Sequence, residues 1–440
     1  MRSPDLMGRV RGLSDYVRFN SALPPRLSEF VILITARQWS QAYEWNAHYP
    51  LAVKGGLNPE IAKAIGDGRR PRGMKRVIVL FFVSGIVSTL LVQAQAVTPF
   101  KLGTFQTQAR TFVGIVLRDS VVVDFAAASR DITPASNVAL PADMKDLIAR
   151  YDSGLRDRII QVVRSVNAQT GARRAYVYDL AALKTMPPIM YPATMLNVAV
   201  NYTEHGAEMA ARDGSRAAET PQGSALPGTK SAPGIWERKP NDTRWNPYMF
   251  LKSPTAVIAN GESIQLPVGR TEIDWECELG VVIGRRGSRI PAAAANDYIF
   301  GYTLENDVSD RGGRGDTRFS GSDWLIGKSH DTFAPMGPFI VPREFVANPQ
   351  KLPIKVLLNG KLFQEGTSAD MIHDVYEQVE YASNIMTLRP GDVIATGTPP
   401  GVGSAKKPPI YFKAGDSLSC SYEGIGTLGN PVVSPAAASR

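Results

Sequence analysis

The sequence predicts an α+β, β-rich protein, and two stretches carry this prediction. From residue 247 onward, short runs of β-branched and aromatic residues alternate with glycine and proline turns, as is typical of a β-rich domain. Met371 to Leu388 is one of the few helical spans there. Residues 97–190 combine a β-hairpin with an apolar helical stripe from Met144 to Val166, which indicates a small α/β domain.

A strand predicted over residues 274–284 carries the clearest chemical signal. Side chains two apart on a strand point to the same side, so Glu276 and Glu278 share one face. Two carboxylates on a buried face repel each other and are costly to desolvate, and a bound cation relieves both costs. The alternative is an exposed strand with two solvated glutamates, but the apolar run over residues 279–283 favours a buried strand.

A third carboxylate follows at the end of the next predicted strand. Residues 301–306 have a β pattern that ends in an Asn-Asp turn, which places Asp307 at the strand end. Two glutamates and one aspartate form an all-oxygen site that suits Mg²⁺, Mn²⁺ or Ca²⁺ and suits Zn²⁺ poorly. The sequence has no Cys/His spacing for zinc, so we expect a hard divalent cation.

Length, charge and cysteine content exclude other classes. With 440 residues, the chain has room for about two or three domains. Most of the formal net charge of +8 lies before Val77, so the remainder is nearly neutral and we expect no nucleic-acid partner. The two cysteines, Cys277 and Cys420, are too few for a disulfide framework. Because Cys277 is expected to pack inward, the sequence predicts against a disulfide bond.

Residues 1–73 have a helical pattern from Leu27 to Ala47, and Glu44 and His48 share a helix face. The segments 23–29, 38–39 and 44–48 make this region resemble a fragment of the carboxymuconolactone decarboxylase family. The resemblance implies a Glu/His proton relay. We favour the alternative, a helical fragment with a surface histidine, because one short helical piece cannot close a core on its own.

Residues 74–96 have the pattern of an export signal. Met74 and two basic residues precede an uncharged run from Val77 to Val92, and Ala94-Gln95-Ala96 is a small-x-small cleavage site. The run is short for a membrane span, which needs about 20 apolar residues, so no stable span is expected. We expect an exported, periplasmic protein if Met74 is the true start. Otherwise it is a fusion, either cytoplasmic or held by a short membrane anchor.

Two further regions contain candidate functional groups. His205 and Glu208 are three apart and meet on one face if a helix begins here, so the carboxylate could support the imidazole as a base. An ordinary surface pair is the alternative. The polar loop over residues 209–247 is either a lid or disordered. The glycine-rich turn at 397–403 offers backbone N–H groups that could hold a carboxylate.

Residues 97–433 resemble the fumarylacetoacetate hydrolase family through seven motifs in family order. The motifs are Asn-Tyr-x-x-His-x-x-Glu (201–208), Leu-Lys-Ser-Pro (251–254), Asp-Trp-Glu-x-Glu-Leu (274–279), Gly-Tyr-Thr…Asn-Asp-Val-Ser (301–309), Gly-Lys-Ser-x-Asp-Thr-Phe-Ala-Pro-x-Gly-Pro (327–338), Arg-Pro-Gly-Asp-Val-Ile-x-Thr-Gly-Thr-Pro (389–399) and Glu-Gly-Ile-Gly-Thr-Leu (423–428). The resemblance implies a mixed β-roll catalytic domain over residues 191–440, usually in a homodimer. It also implies a divalent metal, Mg²⁺ above all, and a small 2-oxo acid substrate.

Carried over by position, the resemblance implies roles for the candidate residues. Glu276, Glu278 and Asp307 match the metal ligands, and His205 with Glu208 matches a water-activating dyad.

Four other residues match positions that contact the substrate. Lys328 matches a lysine that faces the substrate, Arg311 and Tyr302 match substrate contacts, and Thr398 matches a threonine that binds a carboxylate. The sequence after Asp307 departs from the family pattern by adding Arg314 and flexible glycines, which leaves the identity of the substrate open.

These assignments predict a metal-dependent hydrolase that cleaves a C–C bond in an acylpyruvate-like or fumarylacetoacetate-like β-diketo acid. His205 takes a proton from water, hydroxide attacks the distal carbonyl, and the metal with Lys328 stabilises the pyruvate enolate that leaves. One alternative is a 2-oxo acid decarboxylase, hydratase or isomerase on the same scaffold. The other is a non-catalytic exported binding protein, which would have no reason to keep the dyad.

Overall fold

The chain divides into two units, Met1–Ala96 and Val97–Arg440. The computed structural model describes residues 29, 33, 42–67, 97–132, 138–213, 231–315 and 323–435. The export-signal pattern at 74–96 and most of the helix expected over 27–47 lie outside these residues. Within the described ranges, no helix has the length and apolar character needed to cross a membrane.

The described part of the first unit contains two helices, α1 (Ala42–Lys54) and α2 (Pro59–Gly66). Asn58 caps α2 by accepting a hydrogen bond from the backbone N–H of Glu60. His48 is buried on α1, and its Nδ1 lies 2.6 Å from Oε2 of the buried Glu29. The prediction of a surface histidine is therefore wrong. The imidazole is buried because it is paired with a carboxylate nineteen residues earlier in the chain.

The second unit contains the strands and most of the described helices. The helices are α3 (Phe125–Asp131), α4 (Met144–Arg150), α5 (Leu155–Ala168), α6 (Thr203–Asp213), α7 (Ala292–Ala295), α8 (Trp324–Lys328) and α9 (Val375–Ile385).

Nineteen strands are described in this unit. They are β1 (Lys101–Gln106), β2 (Thr111–Leu117), β3 (Val121–Asp124), β4 (Val177–Asp179), β5 (Lys184–Met186), β6 (Met195–Val198), β7 (Met249–Leu251), β8 (Val257–Ile258), β9 (Ile264–Gln265), β10 (Ile273–Asp274), β11 (Cys277–Ile283), β12 (Ile299–Asn306), β13 (Ser309–Asp310), β14 (Ala334–Pro342), β15 (Pro353–Leu358), β16 (Lys361–Thr367), β17 (Val393–Ala395), β18 (Ser417–Tyr422) and β19 (Gly426–Val433).

One large sheet joins both parts of this unit. Its strand order is β4-β3-β2-β1-β14-β12-β11-β17-β6-β7, with β5 paired to β1 and β8 paired to β14. The pairing of β1 with β14, in the register Leu102↔Ile340, carries the sheet across the domain boundary predicted near residue 190. The predicted hairpin is present as β2 and β3. Alternate side chains of β11 and β12 face the main hydrophobic core, and Glu278, Thr303 and Glu305 point to the other face.

Two predicted helices are shorter than the periodicity indicated. The span from Met144 to Val166 is divided into α4 and α5 at Gly154, whose φ of 103° a residue with a Cβ would adopt only with strain. The span from Met371 to Leu388 is reduced to α9, which Asp374 begins through a capping box with Glu377. Apolar spacing identified both helices but not the residues that end them.

A second sheet packs behind the first and is joined to it by a disulfide bond. Its order is β16-β15-β18-β19-β9. Cys277 on β11 is bonded to Cys420 on β18, with their Cα atoms 5.8 Å apart. The prediction against a disulfide is therefore wrong. Cys277 does pack inward, as strand alternation required, but the facing element is the strand that carries the second cysteine.

The described end of the long loop, residues 231–247, is held against α9 by Arg244. Its guanidinium donates to both oxygens of Glu377, at 2.8 and 2.9 Å, and to the carbonyl of Ile372 at 2.7 Å. Burial alone would raise the pKa of Glu377, but His373 and Arg244 outweigh it and lower that pKa from its ordinary 4.5 to about 2. The carboxylate is thus stabilised in its charged form.

Substitution Glu377→Gln should lower the free energy of unfolding by about 1–3 kcal/mol at pH 7, because charged hydrogen bonds are lost. The folded-state pKa is depressed, so the wild-type advantage is complete above about pH 4.5 and declines as the pH falls towards 2. Urea unfolding between pH 3 and pH 7 measures this difference. Glu380→Gln, the same charge change three residues further along α9, is the control. An equal effect of both variants would contradict the assignment.

Candidate metal centre

Three acidic side chains converge where β11 begins and β12 ends. Glu276 directly precedes β11, Glu278 is its second residue, and Asp307 directly follows β12. The backbone N–H of Asp307 donates to the carbonyl of Glu276 at 2.8 Å, which fixes the two chain segments side by side. One carboxylate oxygen from each of the three residues lies within 4.8 Å of the others, and all three side chains are buried.

The electrostatics of this cluster favour a cation. Burial raises the pKa of Glu278 well above its ordinary range, and the neighbouring acids Asp307, Glu305 and Glu276 raise it further. Burial would also raise the pKa of Glu276, but Arg311 and Lys328 reverse the effect and lower it well below that range. A buried carboxyl surrounded by other acids is stabilised in its charged form by a divalent ion. The donor set, oxygen only, fits Mg²⁺, Mn²⁺ or Ca²⁺.

Two lysines partly neutralise the acids. Lys328, the last residue of α8, donates from Nζ to Glu276 Oε2 and Asp307 Oδ2, both at 2.6 Å, and to Ser309 Oγ at 2.8 Å. Burial would lower the pKa of Lys328, but Asp307 and Glu276 raise it, so the ammonium stays charged. Lys252, directly after β7, is fully buried and donates to Asp307 Oδ1 and to the carbonyl of Val308.

Arg311 lies against the cluster and is already bonded to it. Its Nε donates to Asp274 Oδ1 at 2.7 Å, and its Nη2 donates to Glu276 Oε1 at 2.6 Å. Asp274 also accepts from the backbone N–H of Ser404 at 2.8 Å. Arg311 therefore fixes the orientation of Glu276. The role of Arg311 as a substrate contact stays a prediction.

The two residues predicted to form a dyad lie next to each other on α6. Nδ1 of His205 lies 2.8 Å from Glu208 Oε1, and Nε2 lies 3.7 Å from Glu276 Oε1. Glu208 also accepts from the backbone N–H of Gly401, at 3.0 and 2.9 Å to its two oxygens. In the neutral tautomer whose Nδ1–H donates to this carboxylate, the lone pair is on Nε2, the nitrogen that faces the acids.

The glycine-rich turn after β17 completes the site. The backbone N–H of Gly397 donates to Glu278 Oε2 at 2.7 Å. Gly397 has φ +92°, and a Cβ on it would lie 2.8 Å from Cβ of Asn201, so both the turn and the close packing require glycine. The next residue, Thr398, is buried beside the acid cluster.

Comparison with known proteins identifies the family. The model of the fumarylacetoacetate (FAA) hydrolase C-terminal domain matches residues 194–433, more than half of the chain. Oxaloacetate tautomerase YisK of Bacillus subtilis is 32% identical over 336 residues, which cover 76% of this chain and 99% of that protein. The chain belongs to the fumarylacetoacetate hydrolase family.

Solved structures agree with this membership. Maleylpyruvate hydrolase from Sphingobium sp. SYK-6, in complex with manganese(II) and pyruvate, matches with a TM-score of 0.55 and 26% identity, covering 76% of this chain and 100% of that one. The 5-carboxymethyl-2-hydroxymuconate delta-isomerase from Mycobacterium smegmatis matches with a TM-score of 0.51 and 29% identity, covering 77% and 100%. The predicted α+β, β-rich family fold is confirmed, and these relatives include a tautomerase, a hydrolase and an isomerase.

One residue that the family resemblance placed at the substrate lies elsewhere. Tyr302 on β12 is 1% exposed and packs in the main hydrophobic core. It pairs with Val281, whereas the acidic face of the same strands carries the pair Glu278↔Glu305. The substrate contact predicted for Tyr302 is therefore wrong, because strand alternation points the phenol ring away from the metal centre.

Other members of the site were not predicted from the sequence. Glu305 is fully buried beside Glu278, accepts from Asn197 Nδ2 at 3.2 Å, and lies 4.0 Å from Lys252 Nζ. Burial, against the opposing effect of Lys252, raises the pKa of Glu305 to about 8. A signal for it was present, since Glu305 is two residues before Asp307 and faces the same side of β12.

Mn²⁺ affinity should rise with pH, by up to about tenfold per unit for each proton released. The physical reason is that the cation requires a charged Glu278, whose pKa is raised in the folded protein, so binding displaces a proton. Calorimetric titration with MnCl₂ in buffers of different protonation enthalpy measures the Mn²⁺ affinity and the number of protons released on binding. Glu278→Gln should bind more weakly and show a shallower pH dependence. A wild-type affinity that does not change between pH 6 and pH 9 would contradict this.

Proposed function

We propose that this chain is an Mg²⁺- or Mn²⁺-dependent enzyme that interconverts the keto and enol forms of an oxaloacetate-like 2-oxo acid. The observation that carries the proposal is the imidazole of His205, with Nδ1 held by Glu208 and Nε2 only 3.7 Å from Glu276 Oε1. A 2-oxo acid bound through a cation at the acid cluster would lie on the side that this nitrogen faces. The name and near-complete match of the Bacillus subtilis relative support the same reaction.

In this reaction the chain's own residues move one proton. His205 removes a proton from C3 of the keto form, the electron pair shifts to the 2-oxo oxygen, and the imidazolium returns the proton to that oxygen to give the enol. A bound divalent cation would supply Lewis acidity at that oxygen. Glu208 stabilises the imidazolium, and the ammonium of Lys328 adds positive charge on the side of the acids. Thr398 would bind a carboxylate of the substrate.

Hydrolysis of a C–C bond in an acylpyruvate-like β-diketo acid is the second candidate. The same dyad would take its proton from water, hydroxide would attack the distal carbonyl, and the bond to C3 would break. The Sphingobium hydrolase, solved with manganese(II) and pyruvate, supports this candidate because pyruvate is the fragment that such a cleavage leaves. The two candidates differ in the source of the proton that His205 accepts, C3 of the substrate or water, and in whether a C–C bond is broken.

Substitution His205→Asn should lower turnover of enol oxaloacetate by about 10²–10⁴-fold, because the base is lost. The change in ultraviolet absorbance as enol converts to keto measures the rate with Mg²⁺ or Mn²⁺ present. Glu208→Gln should lower it in the same direction, while Glu204→Gln, a matched change at an exposed neighbour, should not. Wild-type turnover in His205→Asn would sink the assignment. Release of pyruvate from an acylpyruvate, without oxaloacetate tautomerisation, would favour the hydrolase.

We also propose a homodimer and an exported location. Edge strand β7 ends at Leu251, which is 59% exposed, and Leu325 on α8 is 74% exposed, so both could pack against a second copy.

The export-signal pattern supports secretion, and the disulfide bond adds support because such bonds persist in oxidising compartments.

The double variant Cys277→Ser/Cys420→Ser should lose about 2–5 kcal/mol of stability, because the bond closes a loop across 143 residues of sequence. Urea unfolding of the oxidised wild type and the variant measures the loss, and the wild type under reducing conditions should resemble the variant. Two free thiols in the denatured, exported protein would contradict the proposal.

A further inference from the structure

Gln364 has no role in the proposed chemistry, yet it is fully buried next to a residue that does. It lies in the middle of β16, on the second sheet, with 0% of its surface exposed. Burying a primary amide is costly unless its polar atoms are bonded. Its side chain spans from the second sheet to the turn that follows β17, where Thr398 lies.

The contacts of Gln364 determine which way its amide faces. Nε2 lies 2.6 Å from the carbonyl oxygen of Pro399 and 3.0 Å from Oγ1 of Thr398. A carbonyl can only accept a hydrogen bond, so the NH₂ group must face Pro399. The second N–H of the same group is then directed at Thr398.

This orientation determines what the hydroxyl of Thr398 can do. A hydroxyl has one hydrogen to donate and two lone pairs that accept. Because Oγ1 accepts from Gln364, its own hydrogen is available for another partner. Within the ranges that the structure describes, no protein acceptor bonds this hydroxyl. The hydroxyl of Thr398 can therefore donate a hydrogen bond to a ligand.

The residue that carries this donor directly follows a backbone contact to the acid cluster. Thr398 follows Gly397, whose N–H is bonded to the metal-ligand candidate Glu278 at 2.7 Å. The group that a hydroxyl donor beside a cation recognises best is a carboxylate, since such charged hydrogen bonds are stronger than neutral ones.

We propose that Gln364 is a positioning residue that fixes Thr398 as a donor to the substrate carboxylate, and so selects free 2-oxo acids over their esters. This inference rests on the proposed function, because it requires a 2-oxo acid at the acid cluster. Gln364 touches no substrate and acts only through Thr398.

The test is binding of pyruvate and of methyl pyruvate, which lacks the carboxylate charge, to the full-length protein loaded with Mn²⁺. Substitution Gln364→Met keeps the length and removes the amide, and it should weaken pyruvate binding by about 10- to 100-fold, the range for a hydrogen bond to a charged group. Binding of methyl pyruvate should change less than about twofold on the same physical ground. Gln364→Glu, whose carboxylate would accept from the Thr398 hydroxyl, should lose the same selectivity.

Thr398 variants complete the cycle. Thr398→Val should weaken pyruvate binding as Gln364→Met does, Thr398→Ser should preserve it, and Gln364→Met should have no further effect in the Thr398→Val background. Equal weakening of pyruvate and methyl pyruvate, or an undiminished effect of Gln364→Met in that background, would overturn the inference.

The Mn²⁺ affinity and unfolding midpoint of each variant separate a positioning role from general damage. Both should match the wild type in whichever Gln364 variant shows the selective loss. Failure of the proposed function is a different result: pyruvate binds with the predicted selectivity, but neither oxaloacetate nor an acylpyruvate is turned over.

Discussion

The compensation of buried negative charge at one point is the constraint on which the rest of this structure depends. Glu276, Glu278 and Asp307 meet as buried side chains, and a cluster of like charges in such surroundings is unstable unless positive charge surrounds it. Lys328 and Arg311 supply part of that charge directly. Helix α8 and the segment that follows β13, which carry these two residues, lie next to the acids.

Strand geometry explains which parts of the site could be predicted from the sequence. The spacing of Glu276 and Glu278, and the end of the next strand at Asp307, are local features, and local features determine the direction of a side chain on a strand. The same rule, applied to Tyr302, would have placed its ring in the core. The family resemblance gave the opposite result, because a matching motif letter carries no information about the face on which it lies.

What could not be predicted depends on contacts between distant segments. Strand alternation indicated that Cys277 points inward, but not that β18 would bring Cys420 to meet it. Gln364 and Thr398 are 34 residues apart, and no pattern around either of them indicates the contact. Helix ends were also missed where a single backbone conformation decides them, as at Gly154. The fold class could be predicted from the sequence, because it depends on composition and periodicity.

The parallel pairing of β6 with β17 has a consequence for how substitutions would move the residues of the site. Asn197 lies opposite Ala395, so both strands leave the sheet in the same direction. The segment after one delivers the imidazole of His205, and the segment after the other delivers the hydroxyl of Thr398. The proposed base and the proposed carboxylate donor are thus carried by two directly paired strands. In this chain, a substitution that shifts β6 against β17 should therefore move both residues together, whereas a change within either following segment should move one of them alone.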